Sequence, residues 1–228
     1  MKVYFAAPLF NQLETKYNSK VAELLEEKGY KVILPQRDGF EFQDLSQTFK
    51  KYLKKELVEN AVQDVIYLLD IGKFLFSSDV VVALLNEPID PGVIVEICYA
   101  RIMEKYVIGL RSDIRQPFGN YHSRFGGMHF FPGFQCNYFI QYPTNWNYGL
   151  EELVKEIDNH IRLFKIRHSK KNKKNLPKEI KYIINLAEKI FPKGIDMKSE
   201  KGLKVIAQQY TKYTKELENI VLVDRIEA

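Results

Sequence analysis

Apolar and polar residues alternate in blocks along the first two thirds of the chain. Short runs that are apolar almost throughout predict strands buried on both faces. These runs lie at residues 2–7, 31–34, 79–85, 106–110 and 137–142. Helical spacing of apolar residues fills most of the intervals and predicts helices. These helices span residues 13–28, 44–77, 91–104 and 149–166. Residues 35–44, 86–90 and 111–135 follow neither period and predict loops.

This alternation predicts an α/β fold, a three-layer flavodoxin-like or Rossmann-like parallel sheet with a C-terminal helical extension. The extension has helical patterns at 177–191 and 198–218. We expect the α/β domain at residues 1–165 and a basic linker with the extension at 166–228. One apolar stripe of the extension predicts packing on its own domain or on a sister subunit. The stripe consists of Ile180, Ile183, Ile184, Ala187 and Ile190.

Composition excludes several classes of protein. Hydrophobic residues make up 46% of the chain and charged residues 28%, and no apolar run approaches the ~20 residues of a membrane span. The apolar N-terminus is too short for a secretion signal. Cys98 and Cys136 stand in apolar surroundings without metal-ligand spacing. These features predict a cytoplasmic protein with reduced thiols, no membrane association and no zinc site.

The net charge of +5 has a local origin, because residues 165–174 hold six positive charges and no acid. We interpret this segment as a solvated linker, with a docking patch for RNA, DNA or acidic lipid as the alternative. No aromatic residue interleaves with these lysines, as stacking on single strands requires. A nucleic-acid partner is therefore not expected.

Two common cofactor motifs are missing from the sequence. No Gly-x-Gly-x-x-Gly follows the first strand, and the chain has no Walker-type phosphate loop. Ligands of parallel sheets bind beyond the carboxyl ends of the strands. The segments of interest are therefore those after Ala7, Leu34, Leu85 and Leu110. We expect no metal, nicotinamide or flavin there.

The most unusual segment runs from Asp90 to Ala100, where Glu96 stands in an otherwise apolar helix start. A buried carboxylate needs hydrogen-bond donors to remain ionised. Asp90, six residues earlier, suggests a pair of catalytic carboxylates. Two structural interpretations stay open: Asp90 as an N-cap, and Glu96 in an ion pair with Lys105 or Arg101.

These residues resemble those of the nucleoside 2-deoxyribosyltransferases. The most specific element is Asp-x-Gly-x-x-x-Glu-x-x-Tyr-Ala at residues 90–100. Further matching segments are Tyr4-Phe5-Ala6-Ala7-Pro8-Leu9-Phe10, Leu34-Pro35-Gln36-Arg37-Asp38, Ser78-Asp79-Val80-Val81-Val82-Ala83 and Val107-Ile108-Gly109-Leu110-Arg111-Ser112-Asp113. The resemblance covers most of residues 2–165 and gives no counterpart for the last 60 or so.

The resemblance implies that Glu96 is a nucleophile that takes the sugar from one nucleobase and passes it to another. Substrates would be nucleosides and free bases, and the intermediate a covalent glycosyl-enzyme. Asp90 would handle the proton of the leaving base or hold the base, with Asp70 as the rival. Asp70 lies nine residues before Asp79, whereas the family places its acid eight before.

The resemblance also implies binding roles. Tyr4 would hydrogen-bond the nucleophile, Phe10 would cover an apolar face of the substrate, and Gly92 would line the substrate site. Gln36 and Asp38 would meet base edges. From the residues alone, Tyr4 and Phe10 are equally well read as core aromatics of the first strand, and residues 36–38 as a polar turn.

The resemblance further implies a homo-oligomer with shared active sites, because family members complete the sugar pocket with an asparagine from a neighbouring subunit. Asn137 is the nearest match here, with Asn120 in reserve.

The sequence is also compatible with two alternative functions. A nucleoside or nucleoside-monophosphate N-glycoside hydrolase would use the same glutamate. The apolar Leu9-Phe10 favours an uncharged sugar over a phosphate, although nearby arginines keep the alternative open. These are Arg37, Arg111, Arg115 and Arg124. A binding module without catalysis is the second alternative, and it predicts that Glu96 can be neutralised without loss of function.

Overall fold

A computed structural model of the chain describes residues 1–142, 149–163 and 173–217. The chain forms two compact units. The sheet unit consists of Met1–Asp38 and Leu75–Asn172, and the helical unit of Gly39–Phe74 and Lys173–Ala228. The division into a catalytic domain at 1–165 and an extension stays a functional prediction. The boundaries of the two compact units differ from this division, since residues 39–74 group with the C-terminal helices.

Among the described residues, five strands form one sheet in which every pairing is parallel. The strands are β1 (Lys2–Ala6), β2 (Lys31–Ile33), β3 (Val80–Leu84), β4 (Tyr106–Arg111) and β5 (Tyr138–Gln141). Their order is β2-β1-β3-β4-β5, which is the flavodoxin-like order. The α/β fold with a parallel sheet is therefore confirmed.

Helices of the described residues flank this sheet and build the helical unit. They are α1 (Gln12–Glu27), α2 (Pro35–Asp38), α3 (Phe42–Phe49), α4 (Val58–Tyr67), α5 (Pro91–Ile102), α6 (Phe130–Phe134), α7 (Leu150–Leu163), α8 (Lys178–Ile190) and α9 (Glu200–Leu217). A π-helix, Leu68–Leu75, continues α4, and short 3-10 turns lie at Lys55–Leu57 and Lys173–Asn175.

The two faces of β1 pack against different helices, because successive side chains of a strand point to opposite faces. Val3 and Phe5 belong to a buried cluster that includes residues of α1 and α7. Tyr4 lies on the other face, where α5 packs on β1, β3 and β4. The sheet unit thus has three layers, and α5 is the helix towards which Tyr4 points.

The helical unit has its own apolar interior. Tyr210 of α9 packs edge-on against Phe49 of α3, with 5.2 Å between ring centroids, and its hydroxyl donates to Asp64 Oδ2 of α4 at 2.8 Å. The apolar stripe predicted on α8 is buried. Across residues 1–142, 149–163 and 173–217, no helix combines the length and apolar character that crossing a membrane requires.

Candidate active site

The sheet order brings together the segments that follow β1 and β3. In the order β2-β1-β3-β4-β5, connections leave in opposite directions from these two neighbouring strands, and a crevice forms beyond their carboxyl ends. The segment after β1 carries Leu9 and Phe10, and the segment after β3 leads through Asp90 into α5. Candidate residues from both sequence segments therefore meet at one edge of the sheet.

Tyr4 and Glu96 are in direct contact. The Tyr4 hydroxyl donates a hydrogen bond of 2.5 Å to Glu96 Oε1. Tyr4 is completely buried, whereas Glu96 is half-buried. A short hydrogen bond from a fixed, buried hydroxyl favours the ionised form of a carboxylate. The sequence required such a donor for Glu96, and the structure places the expected tyrosine there.

Asp90 caps the helix that carries Glu96. Its Oδ1 accepts a hydrogen bond of 2.9 Å from Val93 N, and Pro91 follows at the first helical position. The N-cap interpretation of Asp90 is therefore confirmed. A Cβ on Gly92 would lie 2.9 Å from the same Oδ1, so glycine leaves room for the cap. Asp90, Gly92 and Glu96 share the first two turns of one helix.

Apolar side chains lie exposed after β1. The Phe10 side chain is 78% exposed, and Leu9 next to it is also exposed. The backbone here is fixed, since Phe10 N donates to Glu14 Oε2 at 2.8 Å and Asn11 caps α1. Phe10 is therefore a surface aromatic on an ordered turn, and the interpretation as a core residue of the first strand is wrong for it.

Gln36 and Asp38 make local contacts. Gln36 Nε2 donates to Thr15 O and its Oε1 accepts from Asn18 Nδ2, at 2.8 and 2.9 Å. Asp38 Oδ2 accepts a hydrogen bond of 2.8 Å from Leu34 N. Both side chains lie on the short helix α2, in a segment predicted to be a loop, and they hold it to β2 and α1. Their contact with a base stays a prediction.

Arg111 organises the loops after β3 and β4, a role that sequence reasoning missed. Its side chain is completely buried. Nε and Nη2 donate to Asp113 Oδ1 at 3.1 and 3.0 Å, Nη1 donates to Phe125 O at 3.1 Å, and Nη2 also donates to Arg115 O. The signal available in the sequence was a charged Arg-Ser-Asp directly after an apolar strand.

The same network reaches the segment that leads to α5. Asp113 Oδ2 accepts a hydrogen bond of 2.6 Å from Glu87 N. Asn86 and Ser112 exchange two bonds of 2.8 Å, from Asn86 Nδ2 to Ser112 Oγ and from Ser112 N to Asn86 Oδ1. The loop after β4 therefore fixes residues 86–87, shortly before the Asp90 cap.

Asp70 belongs to the helical unit and lies in the π-helix Leu68–Leu75. Burial raises the pKa of its carboxyl to about 7. A carboxyl with such a pKa is partly protonated near neutral pH, as a general acid requires. A shifted pKa is a frequent property of functional acids, and this one could not be read from the sequence.

The two asparagines proposed to act in a neighbouring subunit lie in different places. Asn137 precedes β5, and its Oδ1 accepts a hydrogen bond of 2.9 Å from Val107 N near the start of β4. It is exposed at the amino edge of the sheet, the edge opposite to the α5 N-terminus. Asn120 lies in the loop after β4, where its Oδ1 accepts from His122 N at 2.7 Å.

Other polar groups have structural partners. Lys105 Nζ donates to the carbonyls of Phe76 and Ser78 at 2.9 and 2.8 Å.

Cys98 and Cys136 are free thiols, and burial raises the pKa of Cys136 to about 12. Within the described part of the chain, no group of three or more His, Cys, Asp or Glu is placed to hold a metal ion.

Comparison with known proteins identifies a family model and a set of solved structures. Residues 3–158 match the family model described as nucleoside 2-deoxyribosyltransferase. A 2-deoxyribosyltransferase of Bacillus psychrosaccharolyticus is 18% identical, covers 64% of this chain and 88% of its own, and gives a TM-score of 0.44.

Two further structures have similar coverage. A CMP N-glycosidase of Clostridium botulinum is 19% identical over 69% of this chain and 99% of its own, with a TM-score of 0.40. A 2-deoxyribosyltransferase of Leishmania mexicana is 16% identical over 68% of this chain and 97% of its own, with a TM-score of 0.36. Comparison with curated protein sequences gave no match.

Proposed function

Since the chain belongs to the nucleoside 2-deoxyribosyltransferase family, whose model matches residues 3–158, we propose that it transfers 2-deoxyribose between nucleobases through a covalent intermediate on Glu96. Membership of this family shows the general type of activity, that of a deoxyribosyltransferase or N-glycosidase. The observation that carries the finer proposal is the 2.5 Å hydrogen bond from the buried Tyr4 hydroxyl to Glu96 Oε1.

In the first step, the Glu96 carboxylate attacks the anomeric carbon of the nucleoside. The C–N bond to the base breaks, its electron pair stays with the base, and an ester joins Glu96 to the sugar. In the second step, a ring nitrogen of another base attacks the same carbon and displaces the carboxylate. Two displacements retain the configuration at the anomeric carbon, as in retaining glycosidases.

Tyr4 supports this chemistry by keeping the attacking group ionised and fixed. Its side chain is held within the sheet unit between β1 and α5, so little reorganisation is needed when substrate binds. Hydrogen bonds to charged groups contribute about 1.5–3 kcal/mol. Tyr4 therefore helps to maintain a competent nucleophile in the free enzyme.

The leaving base needs a proton, for which the resemblance offers Asp90 and Asp70. Asp90 Oδ1 already caps α5, whereas burial gives Asp70 a pKa of about 7. A general acid works best when its pKa lies near the working pH. Asp90 caps the nucleophile's helix, and we propose that it holds the leaving base or handles its proton, with Asp70 as the rival acid.

For binding, we propose that Phe10 covers the apolar face of the sugar or base. Gly92 would allow the substrate to approach the start of α5 closely. Gln36 and Asp38 would meet the base edge only if they exchanged their present contacts. Asn137 would complete the sugar pocket of a neighbouring subunit. We expect the reaction to serve nucleoside salvage in the cytoplasm.

Two of the four arginines considered for a phosphate are already held by acceptors, which favours a nucleoside over a nucleotide as substrate, whereas the exposed Arg124 supports the alternative. Arg111 is buried and bonded to Asp113, and Arg37 is bonded to Glu26 and to Val32 O. A phosphate would need unengaged donors, and these two guanidinium groups already have acceptors. Arg115 also donates to Glu87 O.

Base exchange is tested by incubating the protein with deoxyinosine and free adenine and separating bases and nucleosides by chromatography. The proposal predicts deoxyadenosine from the wild type and a rate at least 10³-fold lower for Glu96→Ala, since the nucleophile is lost. Free hypoxanthine without a new nucleoside would mean hydrolysis. Equal turnover by both proteins would exclude Glu96 as nucleophile, and no turnover across a wider panel of nucleosides would exclude the proposed activity.

A further inference from the structure

Asn18 is a buried polar residue on the inner face of α1. It lies three, four and seven residues before Val21, Ala22 and Leu25, which are apolar and buried, and it is itself 1% exposed. Residues at these spacings share one face of a helix, and asparagine is a poor helix former. An apolar side chain would suit this position better, so the contacts of the amide must explain the asparagine.

The Asn18 amide connects the segments that follow β1 and β2. Its Nδ2 donates to Pro8 O at 2.8 Å and to Gln36 Oε1 at 2.9 Å. Gln36 lies on α2, and its own Nε2 donates to Thr15 O of α1 at 2.8 Å. Carbonyl oxygens only accept, so Pro8 O and Thr15 O determine which way the two amides point. Both hydrogens of Asn18 Nδ2 are therefore used to hold the two segments together.

The oxygen of the same amide has no donor. Among the residues that the structure describes, Asn18 Oδ1 is buried and accepts no hydrogen bond. A buried acceptor without a donor lowers stability, and such conflicts between a residue and its surroundings are expected at functional sites. The two bonds of Nδ2 are thus what the asparagine contributes at this position.

Helix α1 holds the turn after β1 at both of its ends. Asn18 binds Pro8 O, and Glu14, one helical turn earlier, accepts a hydrogen bond of 2.8 Å from Phe10 N. The exposed side chains of Leu9 and Phe10 therefore project from backbone that is fixed on either side. An aromatic ring on such a support is suited to contact a ligand, because little conformational freedom is lost on binding.

This turn lies close to Glu96 within the sheet unit. Tyr4 donates to Glu96, and Pro8 follows four residues later in the same segment, so at most about 14 Å of chain separates Tyr4 from Pro8. The crevice expected from the strand order opens beyond the carboxyl ends of β1 and β3. Asn18 thus holds backbone that borders the crevice of the candidate nucleophile.

We propose that Asn18 is a positioning residue for the substrate site, which together with Glu14 fixes residues 8–10 so that Phe10 meets the nucleoside without reorganisation. Its bond to Gln36 holds α2 against the same turn. This inference rests on the proposed function, because it takes Phe10 as a substrate contact. Asn18 acts through the turn, so its loss should weaken substrate binding and leave the chemical step almost unchanged.

Asn18→Leu tests the proposal, because leucine has a similar size and cannot donate to Pro8 O or Gln36 Oε1. We expect KM for deoxyinosine in base exchange to rise at least about fivefold and kcat to stay within about threefold, the pattern of lost uniform binding. Tyr30→Phe is the matched control. It removes one hydrogen bond of the sheet unit, to Asp158 Oδ1, at the amino edge of the sheet, and should leave both constants within about twofold.

A second substitution separates positioning from a general loss of stability. Phe10→Ala should raise KM about tenfold in the wild type, since an aromatic contact is lost. In Asn18→Leu, where the ring is no longer held in place, the same change should raise KM less than about threefold, because residues that act together have non-additive effects. An unchanged KM in a folded Asn18→Leu, or equal effects of Phe10→Ala in both backgrounds, would overturn the proposal.

Nitrogen-15 relaxation follows the turn without turnover. The backbone order parameter of Leu9 should be about 0.85 in the wild type and fall towards about 0.6 in Asn18→Leu, with Tyr30→Phe like the wild type. If the wild type exchanges no bases, the proposed function fails, whereas this measurement still supports or overturns the role of Asn18 in the turn. An unchanged order parameter in Asn18→Leu would contradict that role.

Should Asn18→Leu fail to fold, Asn18→Ser provides the milder test, because its hydroxyl donates one hydrogen bond in place of two. We expect a smaller rise of KM in this variant, again with kcat within about threefold. Unchanged KM and an unchanged order parameter of Leu9 would then overturn the proposal.

Discussion

At the scale of single residues, the hydrogen bond from Tyr4 to Glu96 connects the fold to the chemistry. Tyr4 is one of the alternating residues of a buried strand, and its position on the α5 face follows from that alternation. A tyrosine hydroxyl buried in a core finds a polar partner. Here that partner is the carboxylate assigned as nucleophile.

Tyr4→Phe should lower kcat for base exchange by roughly 10- to 100-fold, the equivalent of one hydrogen bond to a charged group. Since the lost donor favours the ionised carboxylate, the acid limb of the pH–rate profile should also move to higher pH. Steady-state kinetics across pH measure both effects. Tyr106→Phe, which removes a bond to His160 Nε2, is the control and should leave the profile unchanged. An unaltered Tyr4→Phe profile would contradict the role of Tyr4.

Asp70 should make stability depend on pH. Its pKa is raised to about 7 in the folded protein from 3.8, so the unfolded chain loses this proton first as pH rises. Stability should therefore fall between about pH 4 and pH 7, by up to about 1.4 kcal/mol per pH unit, and level off above pH 7. Asp70→Asn cannot ionise and should lack this fall.

Thermal unfolding of Asp70→Asn and wild type at pH 4 and pH 8 measures the difference. We expect similar melting temperatures at pH 4 and a higher one for the variant at pH 8. Asp44→Asn replaces an exposed carboxylate of α3 and provides the control. If the variant were no more stable than the wild type at pH 8, ionisation of Asp70 would not lower the free energy of unfolding, and the prediction would be wrong.

Sequence alone predicted some of these residues better than others. Glu96 was conspicuous as a charge in an apolar helix that needed a hydrogen-bond donor, and the family resemblance named Tyr4 as that donor. The pKa of Asp70 depends on burial by residues distant in sequence, so no local pattern reveals it. The contacts of Gln36 with Thr15 and Asn18 likewise need the helix packing to be known.

At the scale of elements, the five strands and the helices α1, α5, α7, α8 and α9 were predicted correctly, whereas two short helices and the breaks within residues 44–77 were not. The strands are apolar runs with no other stable environment than a covered sheet. α2 and α6 are four and five residues long, too short to show a helical period, and both lie in predicted loops. The predicted helix at 44–77 is divided into α3, a 3-10 turn, α4 and the π-helix.

The Arg111 network is expected to stabilise the loops after β3 and β4. Arg111→Met keeps the apolar volume but leaves Asp113 without its buried guanidinium partner. Breaking such a pair should cost about 3–5 kcal/mol, measured as the free energy of unfolding in urea. Arg124→Met, in the same loop but exposed, should change stability by less than about 0.5 kcal/mol. Equal effects of the two variants would contradict the assigned role of Arg111.

At the scale of the whole molecule, the two compact units show what periodicity leaves undetermined. An amphipathic stripe predicts that one face of a helix is buried, and the stripe of α8 is indeed buried. The pattern does not predict which segment packs against that face. The sequence therefore predicted the helices of residues 39–74 and 173–217, but not that they group into one unit.

Shared active sites can be tested with two inactive variants. If Asn137 serves the pocket of a neighbouring subunit, Glu96→Ala and Asn137→Ala chains are each inactive in base exchange, since each lacks one half of every site. Unfolding and refolding them together should restore part of the activity, up to about a quarter in a dimer with random mixing. A mixture that stays inactive would place Asn137 outside the site, or within the site of its own chain.

In the proposed reaction, Glu96 carries the sugar covalently. The most direct measurement is mass spectrometry of peptides from protein that was mixed with deoxyinosine without an acceptor base and quenched in acid within milliseconds. We expect one added 2-deoxyribosyl group on the peptide containing Glu96, which is removed when adenine is added before the quench and deoxyadenosine forms. Base exchange at full rate with unmodified Glu96 at every quench time, or a sugar attached to a different residue, would contradict it.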